Sequence, residues 1–282
     1  MTPEQVEACT ILKVIVGSRC LGLETPESDV DIMGVCIEPI EEAYGLDLDA
    51  PFEQFVRTGG ARSLSDRSSP DKAATPDEAR DGPDLQIYSL RKFLRLALSG
   101  NPTILALLFI PESMLLRCDA RGAQLMDLAP FIISRQAGKA FLGYMQAQRM
   151  RLAGERGQKR INRPDLVEQY GYDTKYAMHV LRLGIQGVEL LNTGRLTLPM
   201  LEVDRNYLRG VRSGSLSYQA VLTKAGELEQ ELKHLIDCSP LREQPDRELV
   251  EDWMLTMYFR TWSATRTSRD IREDAERWAT KS

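Results

Sequence analysis

Apolar and polar positions divide the chain into two kinds of segment. Residues 11–16, Ile-Leu-Lys-Val-Ile-Val, form a β-branched apolar run that stops at Gly17-Ser18, the pattern of a buried strand. Residues 29–37 read as a second strand that begins in alternation, with Val30 and Ile32 pointing one way and Asp29 and Asp31 the other. A third strand is expected at Asp84-Leu85-Gln86-Ile87-Tyr88. Beyond it the period becomes helical. Ser89 can cap a helix whose apolar positions are Leu90, Phe93, Leu94, Ala97 and Leu98, closed by Gly100-Asn101-Pro102. Further helical patterns cover about 103–109, 134–153, 174–192, 216–237 and 246–278. Thr2-Pro3-Glu4-Gln5 is a helix start, with Thr2 as N-cap. The stretch from Arg57 to Pro83 is rich in Gly, Ser, Pro, Asp and Arg without apolar periodicity, and is expected to be a long mobile loop at 57–83. This layout predicts an α/β (α+β) head with a small mixed sheet at 1–110, followed by an α-helical C-terminal domain at 111–282.

Composition narrows the chemistry. The 282 residues are 43% hydrophobic and 27% charged, ordinary for a globular protein with a sizeable core. No apolar run approaches the length of a membrane span, and the N-terminal residues carry no basic leader or apolar segment, so a cytoplasmic protein is expected. The five cysteines are scattered without a Cys-x-x-Cys pair, and His179 and His234 are the two histidines. A bound metal would therefore take its ligands from carboxylates, which favours Mg²⁺ or Mn²⁺ over zinc. The net charge of −5 argues against a surface that coats nucleic acid throughout.

Asp29-Val30-Asp31 is the main candidate for chemistry. Residues i and i+2 of a strand share a face with Cα atoms roughly 6.5–7 Å apart, and two carboxylates that close repel unless cations intervene. The apolar strand before them ends in Gly17, which lets the backbone approach a ligand, and Ser18, whose hydroxyl can donate to phosphate. Asp84 heads a later strand in a similar apolar setting, and joins the cluster if that strand pairs beside the second.

Gly17-Ser18, ten residues, then Asp-Val-Asp-Ile resembles the signature of the DNA polymerase β nucleotidyltransferase superfamily. The fuller run GSRCLGLETPESDVDIMGV, with DLQIYSLRKFLRLALSGNPTILALLF and GYDTKYAMHVLRLGIQGVELL, is similar to the branch called the RNA repair pathway polymerase β family, over about residues 11–200. The resemblance implies a nucleotidyltransferase head in which Asp29, Asp31 and Asp84 bind the metals and Asp84 helps deprotonate the acceptor. It also implies that Gly17 and Ser18 hold the β- and γ-phosphates of a nucleoside triphosphate.

Other residues extend the candidate site. Arg19 follows the Gly-Ser turn and fits either a phosphate contact or a surface role. In the 174–192 segment, Lys175, His179, Arg182 and Gln186 recur on one helical face that fits either triphosphate or RNA contact or an exposed polar surface, with Lys175 and Arg182 the better contacts and His179 a satisfied partner inside the helical region. From Arg149 to Arg163 six basic residues stand against one acid, which fits either a solvated helix end or an RNA-binding surface. Arg91, Lys92 and Arg95 fit either a cleft or an exposed face. The expected activity is transfer of a nucleoside monophosphate (NMP) from an NTP to a hydroxyl, with an RNA 3′ end as the acceptor the family implies. The alternatives are nucleotidylation of a protein or small molecule, or a non-catalytic nucleotide- or RNA-binding module.

Overall fold

The computed structural model describes residues 1–46, 48–59, 82–152 and 163–265. Most of the 57–83 segment, the middle of the basic stretch and the end of the last helical pattern lie outside the described residues. The chain opens with α1 (Pro3–Cys9), β1 (Thr10–Val16), α2 (Gly17–Leu21) and β2 (Asp31–Cys36). It continues through α3 (Ile40–Tyr44), β3 (Gln54–Arg57), β4 (Asp84–Ser89), α4 (Leu90–Leu98) and α5 (Pro102–Ala106). After β5 (Leu115–Cys118) come α6 (Ala120–Asp127), α7 (Ala129–Ile132), α8 (Arg135–Leu152), α9 (Pro164–Tyr170), α10 (Thr174–Thr193), α11 (Glu202–Arg212), α12 (Tyr218–Cys238) and α13 (Arg247–Thr265).

The expected caps form. Thr2 and Gln5 make a reciprocal capping box at the start of α1, and Ser89 Oγ accepts from the Lys92 amide to open α4. Asp173 caps α10 through the Tyr176 amide.

The strands make one mixed five-stranded sheet in the order β3-β4-β2-β1-β5. β1 runs antiparallel to β2 and β5, β2 runs parallel to β4, and β3 closes the other edge antiparallel to β4. A mixed sheet followed by a helical C-terminal region is the architecture the periodicity predicts. Two details differ. The second strand begins at Asp31 rather than at 29, because β1 turns into α2 at Gly17 and its last pair is Val16 with Asp31. The edge strands β3 and β5 are four residues each, too short for an alternating pattern to stand out.

The sheet is covered unequally. On one face the main core runs from Ile11 and Leu12 of β1 through Val35, Phe93 and Leu105 into Phe141, Leu181, Leu191 and Leu232 of the helices. On the other, Val6 of α1 covers Ile32, Cys36, Leu85 and Ile87 in a smaller cluster. Both faces of β2 are therefore buried, which makes it the fixed centre of the sheet. Among the described residues, no helix is long and apolar enough to cross a membrane.

α13 is tied back to the end of β2. The Tyr258 hydroxyl donates to Glu38 Oε1 at 2.9 Å, and the Trp262 indole donates to the Glu38 carbonyl at 2.9 Å. Tyr258 and Trp262 stack at 4.7 Å between ring centroids. Burial raises the Glu38 carboxyl above its usual range, opposed in part by the Tyr258 hydrogen bond. The same tyrosine oxygen accepts from the Arg91 amide at 3.1 Å. Tyr258→Phe leaves a buried carboxylate and an amide without their partner, and is expected to lower unfolding free energy by about 1–3 kcal/mol in urea titrations. A change below about 0.5 kcal/mol would show that this contact does not anchor α13.

Candidate nucleotide-binding site

The site is assembled where β1 ends and β2 and β4 begin. β2 and β4 are parallel and in direct register, with Asp31 opposite Asp84, so the two carboxylates spring from the same face of neighbouring strands about 4.8 Å apart. Beside them β1 reaches Val16 and turns at Gly17. Gly17 has φ +69°, and a Cβ there would collide with Asp31 Oδ2. Only glycine satisfies both the left-handed backbone and the approach of the carboxylate. Asp84 is oriented from β3's side of the sheet, its Oδ1 accepting from the Gly59 amide at 2.7 Å.

Asp29 stands two residues ahead of β2 and is exposed, next to the half-buried Asp31. Among the described residues, no three His, Cys, Asp or Glu side chains converge closely enough to hold a metal ion. The Asp31–Asp84 pair offers two hard oxygen donors side by side. That donor set fits Mg²⁺, which commonly takes one or two carboxylates and completes its shell with water and substrate phosphates. It does not fit a structural zinc site.

Ser18 and Arg19 lie on α2, whose N-cap residue, Val16, has no side chain able to cap the first turn. Arg19 Nη2 donates to the Ser28 carbonyl at 3.3 Å. Cys20 behind them is 3% exposed, and burial pushes its thiol up to about 11, so it packs rather than reacts. α2 is also held from the helical region, which the periodicity did not foretell. The Met200 amide donates to the Leu21 carbonyl at 3.2 Å, and Arg209 Nη2 donates to the Gly22 carbonyl at 2.6 Å. A signal existed in the repeat of Arg205, Arg209 and Arg212 along one face of α11.

The polar row of α10 divides. Lys175 is exposed near the helix start. Arg182 is instead engaged along its own helix, Nη1 donating to Gln186 Oε1 at 2.6 Å and Nη2 donating to His179 Nδ1 at 2.9 Å. Burial lowers Arg182 to about 10, and burial followed by the charge of Arg182 holds His179 down to about 3. The contacts of Arg182 are thus with His179 and Gln186 rather than with the Gly17-Ser18 turn. Lys92 and Arg95 on α4 pair with Glu53 at 2.9 and 3.0 Å. In the basic stretch, Arg149 pairs with the buried Glu229 at 2.8 Å and Arg163 with Asp173 at 3.1 Å.

Two expectations follow from this geometry. Gly17→Ala is expected to destabilise the fold by about 1–3 kcal/mol, since the added methyl displaces Asp31; a variant of wild-type stability would refute the close approach. For His179, the unfolded chain takes up a proton below about pH 6.5 that the folded chain refuses until about pH 3. Stability contributed by neutral His179 is therefore full above pH 6.5 and falls as pH drops. Between pH 6.5 and 5, His179→Gln is expected to lose up to about 2 kcal/mol less than the parent. Parallel pH profiles would show that His179 is not held neutral.

The chain is similar to known proteins to different extents. A stretch of 145 residues, 49% of the chain, is 26% identical to an uncharacterized 38.9 kDa protein in the nrdC-mobD intergenic region of Enterobacteria phage T4. The match spans 37% of that protein's length. Among solved structures, a nucleotidyltransferase-like protein from Exiguobacterium sibiricum 255-15 aligns over 83% of this chain and 71% of its own, at 12% identity and a TM-score of 0.30. The model of the RNA repair pathway DNA polymerase beta family matches residues 3–256, which takes in the Gly-Ser turn, all three candidate carboxylates and most of the helical region. The chain belongs to that family.

Proposed function

We propose that this protein transfers an NMP from an NTP to a hydroxyl, releasing pyrophosphate, and that the acceptor is an RNA 3′ end. One observation carries the reading: Asp31 faces Asp84 across parallel strands while Gly17 lies against Asp31. Catalysis of nucleotidyl transfer is chiefly positioning and charge stabilisation, and both need acidic side chains on rigid elements next to a phosphate cradle.

In this proposal the triphosphate rests on the Gly17-Ser18 turn, where the Ser18 hydroxyl and the first amides of α2 donate to its β- and γ-oxygens. Lys175 contributes positive charge beside it. Arg182 supports that surface through His179 and Gln186. The acceptor oxygen attacks the α-phosphorus as the bond from phosphorus to the β-bridging oxygen breaks. Asp84, oriented by the Gly59 amide, takes the hydroxyl proton. Asp31 and Asp84 would hold Mg²⁺ or Mn²⁺, and Asp29, exposed two residues before Asp31, would turn toward the cation as the third ligand. Bound there, the cation would neutralise triphosphate charge and lower the pKa of the attacking hydroxyl. The unit at 1–110 supplies this catalytic surface, and 111–282 supplies substrate contacts, including the basic segment from Arg149 to Arg163 toward RNA.

The test incubates the full chain with Mg²⁺ and α-labelled NTPs against total RNA, protein extract and small-molecule hydroxyl acceptors in separate reactions. Label on RNA is expected, with at least a hundredfold loss in Asp31→Asn and Asp84→Asn and an unchanged thermal midpoint in both. Label confined to protein or small molecules would replace the RNA acceptor while keeping the chemistry. Wild-type labelling by both variants would refute the catalytic carboxylates, and NTP binding without any label would point to a binding module.

A further inference from the structure

The far end of α2 carries a charge arrangement that nucleotidyl transfer, as described above, does not use. Gly22 closes the helix at φ +71°, and a Cβ there would stand 2.8 Å from Arg205 Cδ and 3.0 Å from Arg205 Nη1. Arg205 of α11 therefore lies directly across this turn. Arg209, one helical turn on, donates to the Gly22 carbonyl. Arg19 leaves α2 three residues before Gly22, around the same last turn, and reaches the Ser28 carbonyl with Nη2. Both Arg19 and Arg205 keep a buried Nε–H that has no acceptor. Neither guanidinium is ion-paired among the described residues.

A buried cationic N–H without an acceptor is costly, and it calls for a group that completes it. Two guanidinium groups from different elements at one turn, where the missing Cβ of Gly22 makes room for the Arg205 side chain, favour a tetrahedral oxyanion that can take parallel N–H donors. The same face of α11 goes on to Arg212, whose Nη1 donates to Thr174 Oγ1 at 3.3 Å at the first turn of α10. An arginine stripe thus runs from the end of α2 to the start of α10, beside Lys175. Asp204 on α11 lies near Lys224 instead, and burial raises its carboxyl.

We propose that Arg19 and Arg205 form a phosphate-binding site at the Gly22 turn, with Arg209 fixing that turn. The position limits which phosphate it takes. α2 has five residues, about 7.5 Å along its axis, so this end is one short helix away from the Gly17-Ser18 turn. A phosphate held here is separate from the β- and γ-phosphates at the turn, and the backbone phosphate of the polynucleotide acceptor is the source the spacing favours. That choice of source rests on the proposed nucleotidyl transfer, whereas the binding site itself does not.

The experiment measures binding, not turnover, so it stands whether or not label is transferred. Two arms are run on the full chain: anisotropy of a fluorescent RNA oligonucleotide, and calorimetry with ATP. Arg205→Gln is expected to weaken RNA binding at least tenfold and to reduce the salt slope of log K by about one, with ATP affinity unchanged. Arg205→Lys is expected to recover only part of the loss, because an ammonium lacks the Nε–H and the fork. It also serves as the test if Arg205→Gln does not fold. A loss confined to ATP assigns the site to the triphosphate and keeps the phosphate chemistry. Unchanged binding in both arms, by folded variants, overturns the site. Loss of labelling by Asp31→Asn with RNA binding intact would leave this inference standing alone.

Discussion

The register of β2 against its two neighbours governs the rest of this structure. β2 is buried on both faces, with Met33 and Val35 turned to the main core and Ile32 and Cys36 to the smaller one. A slip of one residue would exchange those faces and drive Asp31 into apolar packing, so the register is strongly specified. Holding it sets Asp31 between Val16 of β1 and Asp84 of β4. The adjacency of the two carboxylates is thus a by-product of hydrophobic packing along the whole strand. The apolar residues between Ile32 and Cys36 hold the acidic end in place.

Both ends of this unit are fastened from far along the chain. At the C-terminal end of β2, Glu38 is gripped by Tyr258 and Trp262 of α13, more than two hundred residues away. At the other end, α2 is gripped by Met200 and Arg209. The sheet that holds the carboxylates and the helices that follow it are therefore mechanically one object around the candidate site. A disturbance of α11 reaches the Gly-Ser turn through a hydrogen bond and a glycine contact, without passing through the core.

Much of this was legible in the chain because each signal was local. Val14, Ile15 and Val16 before Gly17, the alternation at Asp29–Ile32 and the Ser89 cap are read within a few residues, and each element forms at its pattern, β2 starting two residues later than the alternation does. The 57–83 loop lies largely outside the described residues, so its expected mobility stays an expectation. What could not be read was partnership. β3 and β5 are too short to show a period, and their pairing is decided by β4 and β1. The Gly59 amide on Asp84 depends on β3 arriving there. Arg182 and Lys175 look equivalent on a helical wheel, yet one is bonded within α10 and the other is exposed. Periodicity reports a face, whereas the neighbour that the face meets is a tertiary fact.

The electrostatics of α2 explain how the acidic end tolerates its own charge. Like charges on directly opposed residues of neighbouring strands repel, and the part-exposure of Asp31 and Asp84 screens some of that repulsion. The amide end of α2 lies against Asp31 through Gly17, and its carbonyl end is met by Arg209. Both contacts suit the helix dipole, each by about 0.3–1 kcal/mol, and less for a helix this short. They offset part of the repulsion. Strand packing carries the rest, because the β2–β4 register keeps the backbones of Asp31 and Asp84 opposite each other. Such a pair gains most from a small divalent cation, which removes repulsion that the backbone is not free to relax.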